Sequence, residues 1–146
     1  MRVLAVDYGT SRIGLAAGTI ELKIAMPLCV ISATGQPDSD AELVLRKAKE
    51  LQGIIDIFVV GLPKNMDGSE GKQAELTRTF AQCLGNLSKK PVILQDERLS
   101  TFSAANKFCT SAKRRDNKTK KHIKPKEGLD AISAAVILER YFEEIK

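Results

Sequence analysis

The chain has 146 residues, 43% of them hydrophobic, and its 23 basic and 18 acidic side chains give a net charge of +5. This length supplies one buried core and excludes two ordinary domains, so we expect a single domain over residues 1–146. No signal peptide or membrane-spanning apolar run is visible, which predicts a cytoplasmic protein, and three cysteines without C-x-x-C spacing predict neither disulfides nor a zinc site.

The first third of the chain predicts three strands followed by a helix. The apolar runs RVLAV (2–6), IGLAAGT (13–19) and MPLCVIS (26–32) lie close together in the sequence, which favours antiparallel pairing. Ser39 and Glu42 then form a capping-box pattern ahead of apolar residues at helical spacing, and Gly53 is expected to end that helix.

The remainder alternates strands with helices. IDIFVVGL (55–62) is expected to be a buried strand, followed by a helix from about Glu70 and by the strand PVILQ (91–95). LSTFSAANKF (99–108) is expected to be helical, and the last helix to run from about Glu127 to Glu143. Because strands joined through helices lie parallel in one sheet, the expected fold class is α/β: a mixed five-stranded sheet, three antiparallel strands then two parallel, flanked by helices.

Positive charge is concentrated in one segment, SAKRRDNKTKKHIKPK (111–126), which we expect to be a flexible loop. It holds eight basic residues and one acidic residue, and subtracting these from 23 and 18 leaves 15 basic and 17 acidic residues elsewhere. A polyanion is the natural partner, with a merely solubilising loop as the alternative. The run has no aromatic residue, which favours contact with backbone phosphates over base stacking. The expected nucleic-acid-binding residues here are Lys113, Arg114, Arg115, Lys118, Lys120, Lys121 and Lys124.

Three carboxylates come from elements that the predicted topology brings together. Asp7 ends the first strand and DERLST (96–101) follows the fifth, and the carboxyl ends of parallel strands share one edge of a sheet. Asp130 lies in the strongly apolar last helix. Like charges placed close together are costly unless a cation holds them, and Mg²⁺ and Mn²⁺ prefer carboxylate oxygens. The sequence therefore predicts a divalent-metal site at this edge.

Four motifs carry a resemblance to a known family. VDYGTSRIGLA (6–16), VVGLPKNMDGSEG (59–71), DERLST (96–101) and GLDAISAAVILERYF (128–142) are similar, in order and spacing, to the successive signatures of the YqgF family, also called RuvX. The resemblance covers nearly the whole chain. It implies a fold like that of ribonuclease H and RuvC, and the activity of a nuclease. By motif position it makes Asp7, Glu97 and Asp130 the catalytic, metal-binding residues, with one or two Mg²⁺ or Mn²⁺ ions as cofactor.

Each carboxylate also has a simpler interpretation. Asp7 could satisfy the backbone of its own turn, and Glu97 could form a surface ion pair, with Asp96 as the competing ligand. Asp130 could be present only because the helix dipole favours an acidic residue in the first turn of a helix, and Glu127 would serve that purpose equally well. Convergence of the three side chains is the observation that discriminates between these interpretations.

Four further residues are expected near the site. Arg12 and Arg98 suit either a phosphate or one of the acids as partner. Lys64 lies in a glycine-rich loop that could cradle a phosphate, with Ser69 as the cap of the helix that follows. His122, the sole histidine, could pass a proton to the leaving group or be incidental.

The resemblance implies phosphodiester hydrolysis, and from it we expect a role in 5′-end processing of the 16S ribosomal RNA precursor, a step of ribosome biogenesis. The alternatives are a Holliday junction resolvase and a nucleic-acid-binding module of low activity. DYGTS also resembles the phosphate loop of sugar-kinase-like ATPases, but those enzymes close ATP between two such domains and this chain has the length of one. A monomer is favoured over a homodimer, and RNA over branched DNA.

Overall fold

The computed structural model describes residues 1–97 and 125–145, with side chains given up to residue 97 and from residue 130. Its strands form one five-stranded sheet in the order β3-β2-β1-β4-β5. β1, β2 and β3 pair antiparallel, whereas β4 pairs parallel with β1 and with β5. This mixed sheet confirms the predicted architecture. The strands are β1 (Arg2–Tyr8), β2 (Arg12–Thr19), β3 (Met26–Ser32), β4 (Ile57–Leu62) and β5 (Val92–Asp96).

Three described helices cover the two faces of the sheet. They are α1 (Pro37–Gln52), α2 (Lys72–Ser88) and α3 (Pro125–Glu144). α1 and α2 pack on one face and α3 on the other. The buried residues of α2 recur at the spacing of one helical face: Ala74, Thr77, Phe80, Ala81 and Leu84. α3 begins two residues before the predicted Glu127, so it includes the end of the segment expected to be a loop.

Alternation along the strands divides the core into two layers. In β1, Leu4, Val6 and Tyr8 belong to the cluster under α1 and α2, whereas Val3 and Ala5 belong to the cluster under α3. Asp7 continues the second series, so its side chain lies on the α3 face of the sheet. The alternation of side chains along β1 therefore allows Asp7 to approach only carboxylates that reach the α3 face.

Two predicted helix caps are wrong. Ser39 lies inside the first turn of α1, which begins at Pro37 after Gln36 and has no side-chain cap bond. Proline suits a first helical position because its ring presets φ and its missing N–H group has no partner there. The N-cap of α2 is Gly71, while the Ser69 hydroxyl donates instead to Asp67 Oδ1 at 2.6 Å. The predicted end of α1 at Gly53 is confirmed, with φ of 73°.

Among the described helices, none is both long and apolar enough to cross a membrane. The helix predicted for residues 99–108 and nearly all of the basic segment 111–126 lie outside the described residues.

Candidate active site

Asp7 lies at the point where β1 is held by only one neighbouring strand. β1 extends one residue beyond the predicted end, to Tyr8, and Asp7 has Gly14 of β2 as its Cα partner. On the other side, the parallel pairing of β1 with β4 stops at Val6 and Val60. The partly buried Asp7 carboxylate therefore stands at an opening in the sheet, on the face that α3 covers.

Glu97 reaches the same opening from the other side. It directly follows β5, and its N–H group donates to the Leu62 carbonyl at 3.0 Å, which continues the pairing with β4. A Cβ atom at Gly61 would lie 2.7 Å from Glu97 Cδ and 2.5 Å from Ile137 Cδ1. The Glu97 carboxyl thus occupies space that only a glycine at position 61 leaves open.

Asp7 and Glu97 share a side-chain hydrogen bond in a desolvated setting. Burial raises the pKa of Asp7 to about 6, and the negative charge of Asp130 adds to that shift. Burial also raises the pKa of Glu97 to about 8, with the charge of Asp7 and their hydrogen bond adding to it. Near pH 7 Glu97 is therefore the protonated partner and donates to the Asp7 carboxylate.

Asp130 joins this pair from α3. The backbone of α3 passes so close to β2 that a Cβ atom at Gly14 would overlap the Asp130 carbonyl oxygen. Because Gly14 is the Cα partner of Asp7, this close approach brings Asp130 beside Asp7. The Asp130 carboxylate itself faces Arg12, with Nε to Oδ2 at 3.6 Å and both side chains partly exposed.

The structure thus brings together the three carboxylates that the sequence singled out, together with Arg12. Asp7 and Glu97 share a side-chain hydrogen bond, and Asp130 lies close enough for its charge to raise the pKa of Asp7. Across residues 1–97 and 125–145, however, no three His, Cys, Asp or Glu side chains already stand in an arrangement that could hold a metal ion. The direction of the Asp130 carboxylate towards Arg12 is consistent with that finding.

Lys64 lies in a small hairpin that leaves the end of β4. Lys64 and Glu70 form an isolated antiparallel bridge, and the Asn65 N–H group donates to the Ser69 carbonyl at 2.8 Å. Gly68 adopts φ of 89° at the turn, a value that favours glycine. Glu70 in turn pairs with Arg78 of α2 through two contacts, of 2.5 and 3.1 Å. The predicted glycine-rich loop is therefore an internally bonded turn.

Three residues that shape the site were not predicted: Gly14, Asp40 and Gln73. Gly14 admits α3, and a glycine inside an otherwise apolar strand was the available signal. Gly61, expected only to allow close backbone approach, leaves room for the Glu97 carboxyl. Asp40 is fully buried and accepts a hydrogen bond from the Tyr8 hydroxyl at 2.7 Å. Gln73 donates from Nε2 to the Tyr8 carbonyl at 2.9 Å. No spacing rule identifies these last two, because each acts across a long separation in the chain.

The other candidate residues are outside the described part of the chain. They are Arg98, His122, Lys113, Arg114, Arg115, Lys118, Lys120, Lys121 and Lys124.

Comparison with known proteins supports one family. A family model described as RuvX, Holliday junction resolvase, matches residues 1–144. A relative from Anaeromyxobacter sp. (strain Fw109-5) is 38% identical over 143 residues, covering 98% of this chain and 97% of the relative. One from Cronobacter sakazakii (strain ATCC BAA-894) is 42% identical over 144 residues, covering 97% of this chain and 96% of the relative. Both carry the name "Putative pre-16S rRNA nuclease".

Among solved structures, RuvC of T. thermophilus in complex with a Holliday junction substrate is similar, with a TM-score of 0.56 at 15% identity. The match covers 97% of this chain and 93% of RuvC. At this identity the similarity shows the fold alone, and it confirms the expected ribonuclease H-like architecture.

Proposed function

Because the chain belongs to the RuvX family of Holliday junction resolvases, whose reaction is the hydrolysis of phosphodiester bonds, we propose that it is a divalent-metal-dependent nuclease. We propose 5′-end processing of the 16S ribosomal RNA precursor as its role, with the cytoplasm as its site of action. The names of the relatives support this choice of substrate.

One observation carries the proposal: three acids from three separate elements meet at one end of the sheet. Asp7 comes from β1, Glu97 from the end of β5 and Asp130 from α3, and two glycines leave room for the approach. Burying like charges together raises the pKa values of Asp7 and Glu97, which costs stability at neutral pH. A fold that needed only stability would gain by replacing these acids.

The donor set fits a small divalent cation. Three carboxylates offer hard oxygen ligands with a charge that Mg²⁺ or Mn²⁺ would neutralise, and Asp7 interacts with both of the others. When bound, one or two such ions would supply Lewis-acid charge neutralisation and activate a water nucleophile. Asp7, Glu97 and Asp130 are the residues that would hold them. Glu97 has to lose its proton for this, so the affinity for the cation should rise with pH.

The positively charged side chains have a separate role in this proposal. Arg12 forms an ion pair with Asp130, and we assign to it the exchange of that partner for a substrate phosphate. We assign Lys64, Arg98 and the lysines and arginines of the basic segment to contacts with the phosphate backbone, which position a substrate without reading its sequence. We assign His122 to protonation of the leaving oxygen.

The second candidate substrate is a four-way DNA junction, because the description of the family model names that activity. A resolvase cuts two strands symmetrically, which favours a two-fold dimer, whereas trimming an RNA end needs one site. We favour a monomer acting on RNA.

The proposal is tested by cleavage of two labelled substrates, a 16S precursor fragment and a four-way DNA junction, with Mg²⁺, Mn²⁺ or a chelator. The variants are Asp7→Asn and the control Asp56→Asn. Asp56 lies just before β4, at the opposite end of the sheet, and accepts a hydrogen bond from the Arg2 N–H group that an asparagine oxygen can also accept.

We expect metal-dependent cleavage of the RNA by the wild type and by Asp56→Asn, and a loss of at least about 1,000-fold in Asp7→Asn. Preferential cleavage of the junction would replace the RNA assignment with the resolvase assignment. Equal cleavage by wild type and Asp7→Asn, or cleavage by neither with any metal, would contradict the catalytic proposal and leave a binding module.

A further inference from the structure

The sheet opens between β1 and β4 at the candidate site. β1 keeps its pairing with β2 as far as Tyr8 and Ile13, and β4 keeps its pairing with β5 as far as Leu62 and Asp96. The pairing between β1 and β4 already ends at Val6 and Val60. Asp7 therefore belongs to one half of the sheet and Glu97 follows a strand of the other, and beyond Val6 and Val60 no strand pairing joins the two halves.

The Tyr8 carbonyl faces this opening. Hydrogen-bonding groups of successive residues point to opposite sides of a strand, and the Gly9 N–H group donates to Arg12 on the β2 side at 2.9 Å. Tyr8 therefore presents its backbone groups to the β4 side, beyond the last β1–β4 pair. Gln73 Nε2 donates to that carbonyl at 2.9 Å, from the first turn of α2, and replaces the missing bond of the ladder.

The Tyr8 side chain anchors the same point on the other face of the sheet. Its ring stacks on Phe80 of α2 with centroids 4.2 Å apart and planes within 6°. Its hydroxyl donates to Asp40 of α1 at 2.7 Å, and Asp40 also accepts from the backbone and hydroxyl of Thr34, at 2.7 and 2.9 Å. Both helices thus hold the residue that follows Asp7, and Gln73 is the group that acts on its backbone.

We propose that Gln73 is a positioning residue, whose amide bond to the Tyr8 carbonyl sets the separation of Asp7 from Glu97 across the open end of the sheet. The inference rests on the proposed function, since it gives these two acids a shared ligand to hold. The Gln73 amide reaches the Tyr8 backbone over 65 positions in sequence and is partly buried, so it ties α2 to the end of β1. Without it, the Tyr8 carbonyl loses its partner and the strand end can shift by the fraction of an ångström that metal ligands do not tolerate.

The test compares Gln73→Met, which keeps the length of the side chain and removes its amide, with Thr77→Val. Thr77 lies one turn further along α2 and is buried, and its hydroxyl donates to the Gln73 carbonyl at 2.7 Å. Thr77→Val therefore also removes one side-chain hydrogen bond, but one that lies within α2. Two readouts use the full chain without substrate: hydrogen exchange at the amides of residues 7–9, and Mn²⁺ affinity followed by electron paramagnetic resonance.

We expect Gln73→Met to speed exchange at residues 7–9 by about 10-fold and to weaken Mn²⁺ binding about 10–100-fold, the range typical of groups that orient metal ligands. Thr77→Val should match the wild type in both. Unchanged exchange in Gln73→Met would overturn the inference, and faster exchange with unchanged Mn²⁺ affinity would reduce Gln73 to a structural residue. A wild type that binds no Mn²⁺ would contradict the proposed function instead, while the exchange data would still decide whether Gln73 fixes the strand end.

Discussion

At the scale of single residues, two carboxyl groups of the candidate site have raised pKa values, so their protonation changes near neutral pH. Asp7 and Glu97 are desolvated and hydrogen-bonded to each other, and their raised pKa values mean that the folded state holds protons which the unfolded chain releases. The negative charge of Asp130 adds to the rise in the pKa of Asp7, and Asp130 forms an ion pair with Arg12. A carboxyl group kept protonated until a cation displaces its proton links metal binding to pH.

The raised pKa values predict a stability that falls with rising pH. Because the folded pKa values of Asp7 and Glu97 lie above those of the unfolded chain, the stabilisation by bound protons is complete below pH 4 and is lost as pH rises through about 6 and about 8. Gln in place of Glu97 keeps a donor to Asp7 without adding a charge. Thermal unfolding without metal should therefore show Glu97→Gln more stable than wild type at pH 8 and close to it at pH 4. A less stable Glu97→Gln at pH 8 would contradict the pairing.

At the scale of secondary-structure elements, two glycines set how closely the layers approach. Gly14 lets the backbone of α3 lie directly on β2 at Asp130, and Gly61 leaves room for Ile137 and the Glu97 carboxyl. Neither has a positive φ, so both act by lacking a side chain rather than by conformational freedom. The position of the third acid is therefore a consequence of helix-to-sheet distance.

A methyl group at Gly14 should separate α3 from the sheet. Gly14→Ala places Cβ against backbone that cannot move alone, and we expect a loss of about 3 kcal/mol in the free energy of unfolding, with loss of cleavage. Gly85→Ala is the matched control, since its Cβ would meet only Val92 Cγ2 at 3.5 Å and alanine favours a helix by up to about 1 kcal/mol. Urea unfolding compares the two. Equal stability of both variants would show that α3 is not held at this distance.

The sequence predicted most of the elements and singled out three acids that lie near one another in the structure, and it failed at two helix caps and where a partner lies far away in the chain. Buried strands appear as continuous apolar runs, so β1 to β5 were found to within about two residues. The two cap predictions were wrong because Ser39 and Ser69 fit the local sequence pattern of a cap, whereas α1 begins at Pro37 and the N-cap of α2 is Gly71. The role of Gln73 depends on where β1 and β4 stop pairing, and no local pattern encodes that register.

At the scale of the whole molecule, charge and chemistry are separated along the sequence. The segment 111–126 holds eight of the 23 basic residues, and the rest of the chain is slightly acidic. That acidic remainder includes the three clustered carboxylates, which by themselves repel a polyanion. For a nucleic-acid substrate, a cation at the site, the basic segment or both have to offset this repulsion before the scissile phosphate can reach the carboxylates.

Neutralising two lysines of the basic segment should weaken binding without regard to sequence. We expect Lys120→Gln with Lys121→Gln to lower the salt dependence of RNA binding by about 0.7 in slope for each lost phosphate contact. Lys47→Gln with Lys49→Gln, on α1, makes the same change in net charge as a control. Fluorescence anisotropy over a series of salt concentrations gives both slopes. Identical slopes in the two double variants would assign the effect to net charge alone.

Titration of the metal-free protein with Mn²⁺ by calorimetry, on wild type, Asp7→Asn and Asp56→Asn, tests the central claim most directly. We predict saturable binding by wild type and Asp56→Asn, with affinity that rises from pH 6 to pH 8, and binding at least about 100-fold weaker in Asp7→Asn. Equal affinity in wild type and Asp7→Asn, or no binding by wild type at pH 8, would contradict a metal site formed by Asp7, Glu97 and Asp130.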